Sequence, residues 1–392
     1  MDISKMTAQM PGTTSLAKET RDSETQEVSI SDKVAIEGGI PSKDMLQDIR
    51  KLRQMTGVKR ISRPPELGSK EYWVSQARHM TDFFAGVSKD DEAGGFYTHI
   101  DSMGKVSNEN EKFLMPTSRQ VWAYSAAYLM TGDGKYLELA ERGVDFILKH
   151  HMREAKQDEV YWAQQTDRKG NPTEVADRNP LVINEQTYGL TGLIEYYKAT
   201  RDKKILDVIR KGHEFITNHF HDERNGGFFD SVNPLTFEPT RTKSYNSTVY
   251  PATSALLEIA DIAEGDWKKQ VFAQIKELSF LFMENFPDSR TGFIKENFTE
   301  NWEEDWRGWQ KQPEGTIGVT GHNAQGALFL LRAERLLSGE GLLSPEESSK
   351  YRETAKAVLD GILEKGYDKL RGGWYDVFVR ETGKKDRKRS NA

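Results

Sequence analysis

Apolar residues recur along most of this chain at the three- and four-residue spacing of amphipathic helices. Leu137, Ala140, Val144, Phe146 and Ile147 fall on one such face. The spacing predicts one set of helices over about 70–88, 134–152, 203–220, 266–285 and 346–366. A second set, over about 117–131, 184–199, 246–264 and 321–337, alternates with the first. Thr131-Gly-Asp-Gly breaks the pattern where one helix must end and the next begin.

A turn signature divides the helices into repeats. Asp-x-x-x-Gly, followed at once by Gly-aromatic or Phe, occurs at Asp90–Tyr97, Asp222–Phe229, Asp288–Ile294 and Asp368–Tyr375. The step from Gly94 to Gly226 is twice the step from Gly226 to Gly292. A degenerate copy is therefore expected near residue 160, at Val160-Tyr161-Trp162 with Asp167 to Gly170. The last step, from Gly292 to Gly372, is longer than the period, and the excess suggests an insertion around Gly339 to Glu347. Helix pairs on a fixed period build a ring or a solenoid. Long hairpin-bearing loops on one side favour the ring, an all-α toroid of helix pairs. The starts of the second-set helices should then share one end and point into a common cup. They carry Arg119 and Trp122, Asn184 and Tyr188, Asn246 and Tyr250, His322 and Gln325. Ser118, Asn184 and Asn246 are expected as helix caps.

The rest of the chain divides simply. Residues 1–65 are polar and expected to be disordered, with a short helix at Asp44–Met55 and an entry signal at Pro64-Pro65. Residues 66–378 form the barrel domain, and 379–392 a basic disordered tail. The nine predicted helices fall short of the twelve of a six-pair ring. A shortened gene product is the favoured explanation, with a different closure or a covering partner as alternatives. A second copy over an open, apolar edge is the partner expected.

Composition narrows the function. A net charge of −6 gives no electrostatic case for nucleic acid or an anionic membrane. No stretch is apolar enough to span a bilayer, and the first residues lack a signal-peptide core. With no cysteine, disulfides, thiolate metal sites and cysteine nucleophiles are excluded, which fits a cytoplasmic enzyme. Eight Trp, 14 Tyr and 18 Phe, many beside polar residues, suit the apolar faces and hydroxyl rim of a sugar.

Three segments resemble the N-acylglucosamine 2-epimerase and cellobiose 2-epimerase family. They are Gly94-Gly95-Phe96-Tyr97 through Gly104-Lys105, Ser118-Arg119-Gln120-Val121-Trp122 and Gly321-His322-Asn323-Ala324-Gln325. The resemblance runs from about Tyr72 to Phe378. It implies an all-α (α/α)6 barrel and isomerisation at carbon 2 of a reducing sugar through an enediolate. His322 would remove the proton and Arg119 would stabilise the enediolate oxygen. Trp122, Trp302, Trp306 and Trp309 would frame the sugar, and neither cofactor nor metal is called for. From their positions at the cup, Tyr188, Asn246, Tyr250, Gln325 and the hairpin residue His99 join the expected substrate contacts. The chain departs from the family pattern at Gln325, where the family has an acid, and at Tyr250, where it has a His. It also lacks the family's far C-terminal His.

Other histidines read as structural. His150 and His151 close a helix, and His213, His219 and His221 are expected at the surface. Arg119 has an alternative as the ion-pair partner of an acid such as Glu185. Asp101, Asp230 and Asp376 follow the hairpins and suggest turn chemistry. Two competing functions remain. One is a glycoside hydrolase on the same type of ring, with carboxylates such as Asp177, Glu185, Asp230 and Glu296. The other is a sugar- or partner-binding relic without activity.

Overall fold

The computed structural model describes residues 69–155, 158–173, 179–307, 310–313, 315–368 and 373–386. All of these but Asp368 and Gly373 belong to one compact unit. The expected disorder and helix before Pro65, and Trp309 and Asp177, lie outside the described residues.

Nine helical segments are described, in the alternating order the periodicity predicts. The outer set is α1 (Lys70–Val87), α3 (Gly134–Phe146, then a π-helical turn Ile147–His151), α5 (Lys203–Phe220), α7 (Gly265–Asn285) and α9 (Pro345–Lys365). The inner set is α2 (Leu114–Thr131), α4 (Ile183–Thr200), α6 (Tyr245–Pro251, extended by Ala252–Leu256 and Leu257–Ile259) and α8 (Thr320–Gly339). Gly132 ends α2 at φ +69°, and the Asp133 side chain caps α3 by accepting from Lys135 N–H. Val121, Tyr124, Leu190, Leu193, Phe215, Val249, Phe282 and Phe329 lie in one continuous buried core. Gly192 lets α4 come close to α2, since a Cβ there would stand 2.6 Å from Ser118 O. Trp73, Met80, Phe83 and Phe84 of α1 remain exposed, as do Leu129 and Met130 of α2.

The turn signature is a repeated structure. In the three copies whose first glycine is described, that glycine is left-handed, with φ +80°, +72° and +75° at Gly94, Gly226 and Gly292. The aspartate starts a tight loop: Gly94, Gly226 and Gly292 N–H donate to Asp90, Asp222 and Asp288 O at 3.0, 2.8 and 2.8 Å. A buried cation holds each of these carboxylates. Lys112 Nζ lies 2.9 Å from Asp90, Lys243 Nζ 2.7 Å from Asp222, and Arg380 2.6 Å from Asp288. The two lysines also donate to Gly94 O and Gly226 O. Each lysine stands two residues before an inner helix. The corresponding residue before α8 is Gly318, whose Cβ would lie 3.1 Å from Arg380 Cγ. Arg380 thus reaches into the place the lysine would fill. The degenerate copy near 160 is a plain hairpin, Met152–Glu154 against Val160–Trp162.

Pairing between repeats brings the inner-helix starts to one end. The strand before each inner helix pairs antiparallel with an extended segment of the next repeat. Glu111–Phe113 pairs with Gln165–Asp167, Leu181–Val182 with Ser231–Val232, Thr242–Ser244 with Asn297–Thr299, and Ile317–Val319 with Val377–Val379. The first N–H of each inner helix follows suit: Leu114, Ile183, Tyr245 and Thr320 donate to the carbonyls of Gln164, Asp230, Glu296 and Asp376.

Four expectations are corrected. Ser118, Asn184 and Asn246 are not caps: the helices begin earlier, and the next repeat's carbonyls satisfy the starting N–H groups instead. His213 is buried rather than at the surface, bonded to Gln274 and Trp267, and burial pushes its pKa down to about 4. The tail boundary at 378 falls inside a ladder, with Val379 and Arg380 buried and Lys385–Asp386 paired to Val377–Phe378. The last repeat's extra length lies mainly before α8, where the stretch from Glu296 to Thr320 is well over the length of its counterpart from Asp230 to Tyr245.

Candidate active site

The inner helices begin at one end, so residues at equal distances from their starts form layers. The third residues are Pro116, Glu185, Ser247 and His322; the sixth are Arg119, Tyr188, Tyr250 and Gln325. Four of the predicted contacts thus occupy one structural position. They join into a chain of contacts. Arg119 donates to Tyr188 Oη at 2.7 Å, with its guanidinium 4.5 Å from the Tyr188 ring centroid. Tyr188 and Tyr250 rings lie 5.9 Å apart, and Tyr250 meets Tyr245 at 5.6 Å and His322 at 6.5 Å, both edge-on.

His322 is held on two sides. Its ring stacks on Tyr245 at 4.0 Å with a 9° interplanar angle. Its Nδ1 lies 3.0 Å from Glu296 Oε2. Glu296 is buried and also accepts from Gln310 Nε2 at 2.7 Å and Val319 N–H at 3.2 Å. A carboxylate only accepts, so the pairing puts the His322 proton on Nδ1 and leaves Nε2 with the lone pair. Gln325 is fixed by Tyr245 Oη at 2.9 Å and Thr253 Oγ1 at 2.9 Å. Burial pushes the Tyr245 and Tyr250 hydroxyls up, so both stay protonated near neutrality.

On the other side of the cup, two cavities adjoin. One, of about 340 Å³, is lined by Arg119, Gln120, Tyr97 and Met80 among others; the second, of about 260 Å³, by His99, Phe113, Gln164 and Glu185. Thr98 and Pro116 belong to both. Burial raises the Glu185 carboxyl to about 7. Arg119 bonds Tyr188 rather than Glu185.

The remaining predicted residues, His99 in the second cavity excepted, lie apart. Trp122 is about half exposed, and Asn246 is exposed at the start of α6. Trp306 donates to Glu304 Oε1 and lies 4.7 Å beneath Arg380. Trp302 is no sugar wall: it packs on Phe286 and Phe298 and covers Lys243 at 4.7 Å. His99 lies 3.3 Å from Glu111 across the hairpin mouth. His219 pairs with Glu159 at 2.8 Å and His221 with Glu277 at 3.0 Å. Of the two partners of His322, Glu296 stands out in the sequence only as a hydrolase carboxylate and Tyr245 not at all. The signal for Glu296 is its register, since Gln164, Asp230 and Glu296 recur at the period of the turns.

Paired helices in series, with strand pairs joining successive repeats at one end, define an (α/α)6-barrel protein. The solved structure of cellobiose 2-epimerase from Bacillus thermoamylovorans shares that fold, with TM-score 0.65 at 23% identity over 81% of this chain and 77% of that one. A family model for N-acylglucosamine 2-epimerase (GlcNAc 2-epimerase) matches residues 94–391, and the chain belongs to that family. Cellobiose 2-epimerase of Bacteroides fragilis is 25% identical over 283 residues, 71% of this chain and 68% of the relative. D-Mannose isomerase of Marinomonas mediterranea is 22% identical over 332 residues, 79% and 74% respectively. Among the described residues, no helix is long and apolar enough to cross a membrane.

Proposed function

We propose that this chain isomerises a reducing sugar at carbon 2, with His322 as the base and Arg119 as the oxyanion partner, in the cytoplasm. One observation carries the reading: the His322 Nδ1–Glu296 pairing, which leaves Nε2 with a lone pair one helical turn from the layer that holds Arg119, Tyr188 and Tyr250, with Tyr250 in ring contact with His322. In the open-chain aldose, Nε2 takes the proton from carbon 2. The C–H electrons form the C1–C2 double bond, and the carbonyl electrons move to O1, where a guanidinium stabilises the charge. Glu296 stabilises the imidazolium that forms.

Among the described residues, this cluster contains one imidazole. One base on one face is enough for aldose–ketose interconversion: the proton returns to carbon 1, O1 gains a proton and O2 gives one up. Inversion at carbon 2 needs a second proton donor on the opposite face. The geometry therefore supports isomerisation more directly than epimerisation.

The test is turnover of aldoses in D2O, followed by NMR. The expected result is ketose with deuterium at carbon 1. Epimeric aldose formed faster than ketose would replace the one-base scheme with a two-base scheme. Reducing ends released from a glycan without label at carbon 2 would establish a hydrolase instead.

A further inference from the structure

Glu185 is a carboxyl that the isomerisation scheme does not use. It occupies the third position of α4, as His322 does of α8, and sits one turn above Tyr188. It lines the 260 Å³ cavity with Gln164, His99 and Phe113, and through Thr98 and Pro116 that cavity adjoins the one holding Arg119. Arg119 is bonded to Tyr188 and His99 lies against Glu111. Burial raises the Glu185 pKa, and among the described residues no neighbouring charge offsets that effect. A carboxylate in an apolar cavity without a counter-ion favours a ligand that brings one.

We propose that this cavity binds the protonated amine of a basic sugar, with Glu185 as counter-ion and the amine remote from the reacting carbons. The inference rests on the carbon-2 reading of the cup. Phe113 and Pro116 offer apolar surface to the ring's C–H face, and Gln164 an amide to its hydroxyls. An arriving ammonium makes the ionised carboxylate the favoured form. Since Glu185 ionises at about 7, binding at pH 7 expels about half a proton per ligand.

Calorimetry on the full chain at pH 7, in buffers of different ionisation enthalpy, tests this with glucose, mannose and their 6-amino-6-deoxy forms. The expected result is tighter binding of the amino sugars, with proton release that Glu185→Gln abolishes. In that variant amino-sugar affinity falls about 10- to 100-fold, as for loss of a charge-assisted hydrogen bond, while neutral sugars change less than about threefold. Neutral and amino sugars binding alike, without proton release, would overturn the proposal and leave the carbon-2 reading intact. Failure of every sugar to bind would overturn both.

Discussion

The hairpin turns and the inner-helix starts share one repeat and use it in opposite ways. At the turns the same solution recurs: a left-handed glycine, an aspartate closing the loop, and a buried cation clamping the carboxylate. Even where the lysine is missing before α8, Arg380 arrives from another segment to fill its place. At the helix starts, one equivalent position holds Pro, Glu, Ser and His, and another holds Arg, Tyr, Tyr and Gln. Turns that must only fold keep their chemistry. Positions that face a common cup are free to differ, and a ligand can be gripped by groups that are all different.

That contrast is open to attack at either end. The largest effect is expected at the cup. His322→Ala should lower isomerase turnover by about 10²- to 10⁴-fold, the usual contribution of a general base, with unchanged unfolding by urea. An equal loss of stability would make His322 a turn-like, structural residue. At the turns the reverse should hold. Lys243→Met leaves Asp222 buried and unpaired and should cost about 3–5 kcal/mol in urea unfolding, most of it regained when Asp222→Leu is added.

A smaller effect separates the two regions by pH. Burial opposes ionisation of Asp288, but Arg290 and Arg380 outweigh it and hold the carboxyl down at about 2. A lowered carboxylate stabilises the fold above its unfolded value near 4. That contribution, on the order of 2 kcal/mol, should disappear as pH falls from about 4 through 2, and acid titration of unfolding should show it. Glu185 should behave oppositely. Its raised pKa means that folding opposes ionisation, so stability declines as pH rises from about 4.5 to 7. Glu185→Gln should remove that decline and gain on the order of 3 kcal/mol at pH 8, with no gain at pH 4.

The same contrast explains what could be read from the sequence. Repetition makes the turns legible: Gly94, Gly226 and Gly292 mark the period, and the helices fall within a few residues of where the spacing puts them. Arg119, Tyr188, Tyr250 and Gln325 could be picked out because they sit near predicted helix starts. The helix caps could not, because the first N–H groups of α2, α4 and α8 are satisfied by carbonyls of the following repeat, far along the chain. Nor could the Glu296–His322 pair, which is made by the strand Gly315–Val319 bringing α8 against the previous hairpin. His213 looked like a surface residue because its partner, Gln274, lies on the next outer helix.

The most direct test is a crystal structure with a reducing sugar bound. The sugar's first two carbons should lie in the cup, with carbon 2 within about 3.5 Å of His322 Nε2 and O1 toward Arg119. A sugar bound away from the inner-helix starts, with His322 still closed against Glu296 and Tyr245, would contradict it.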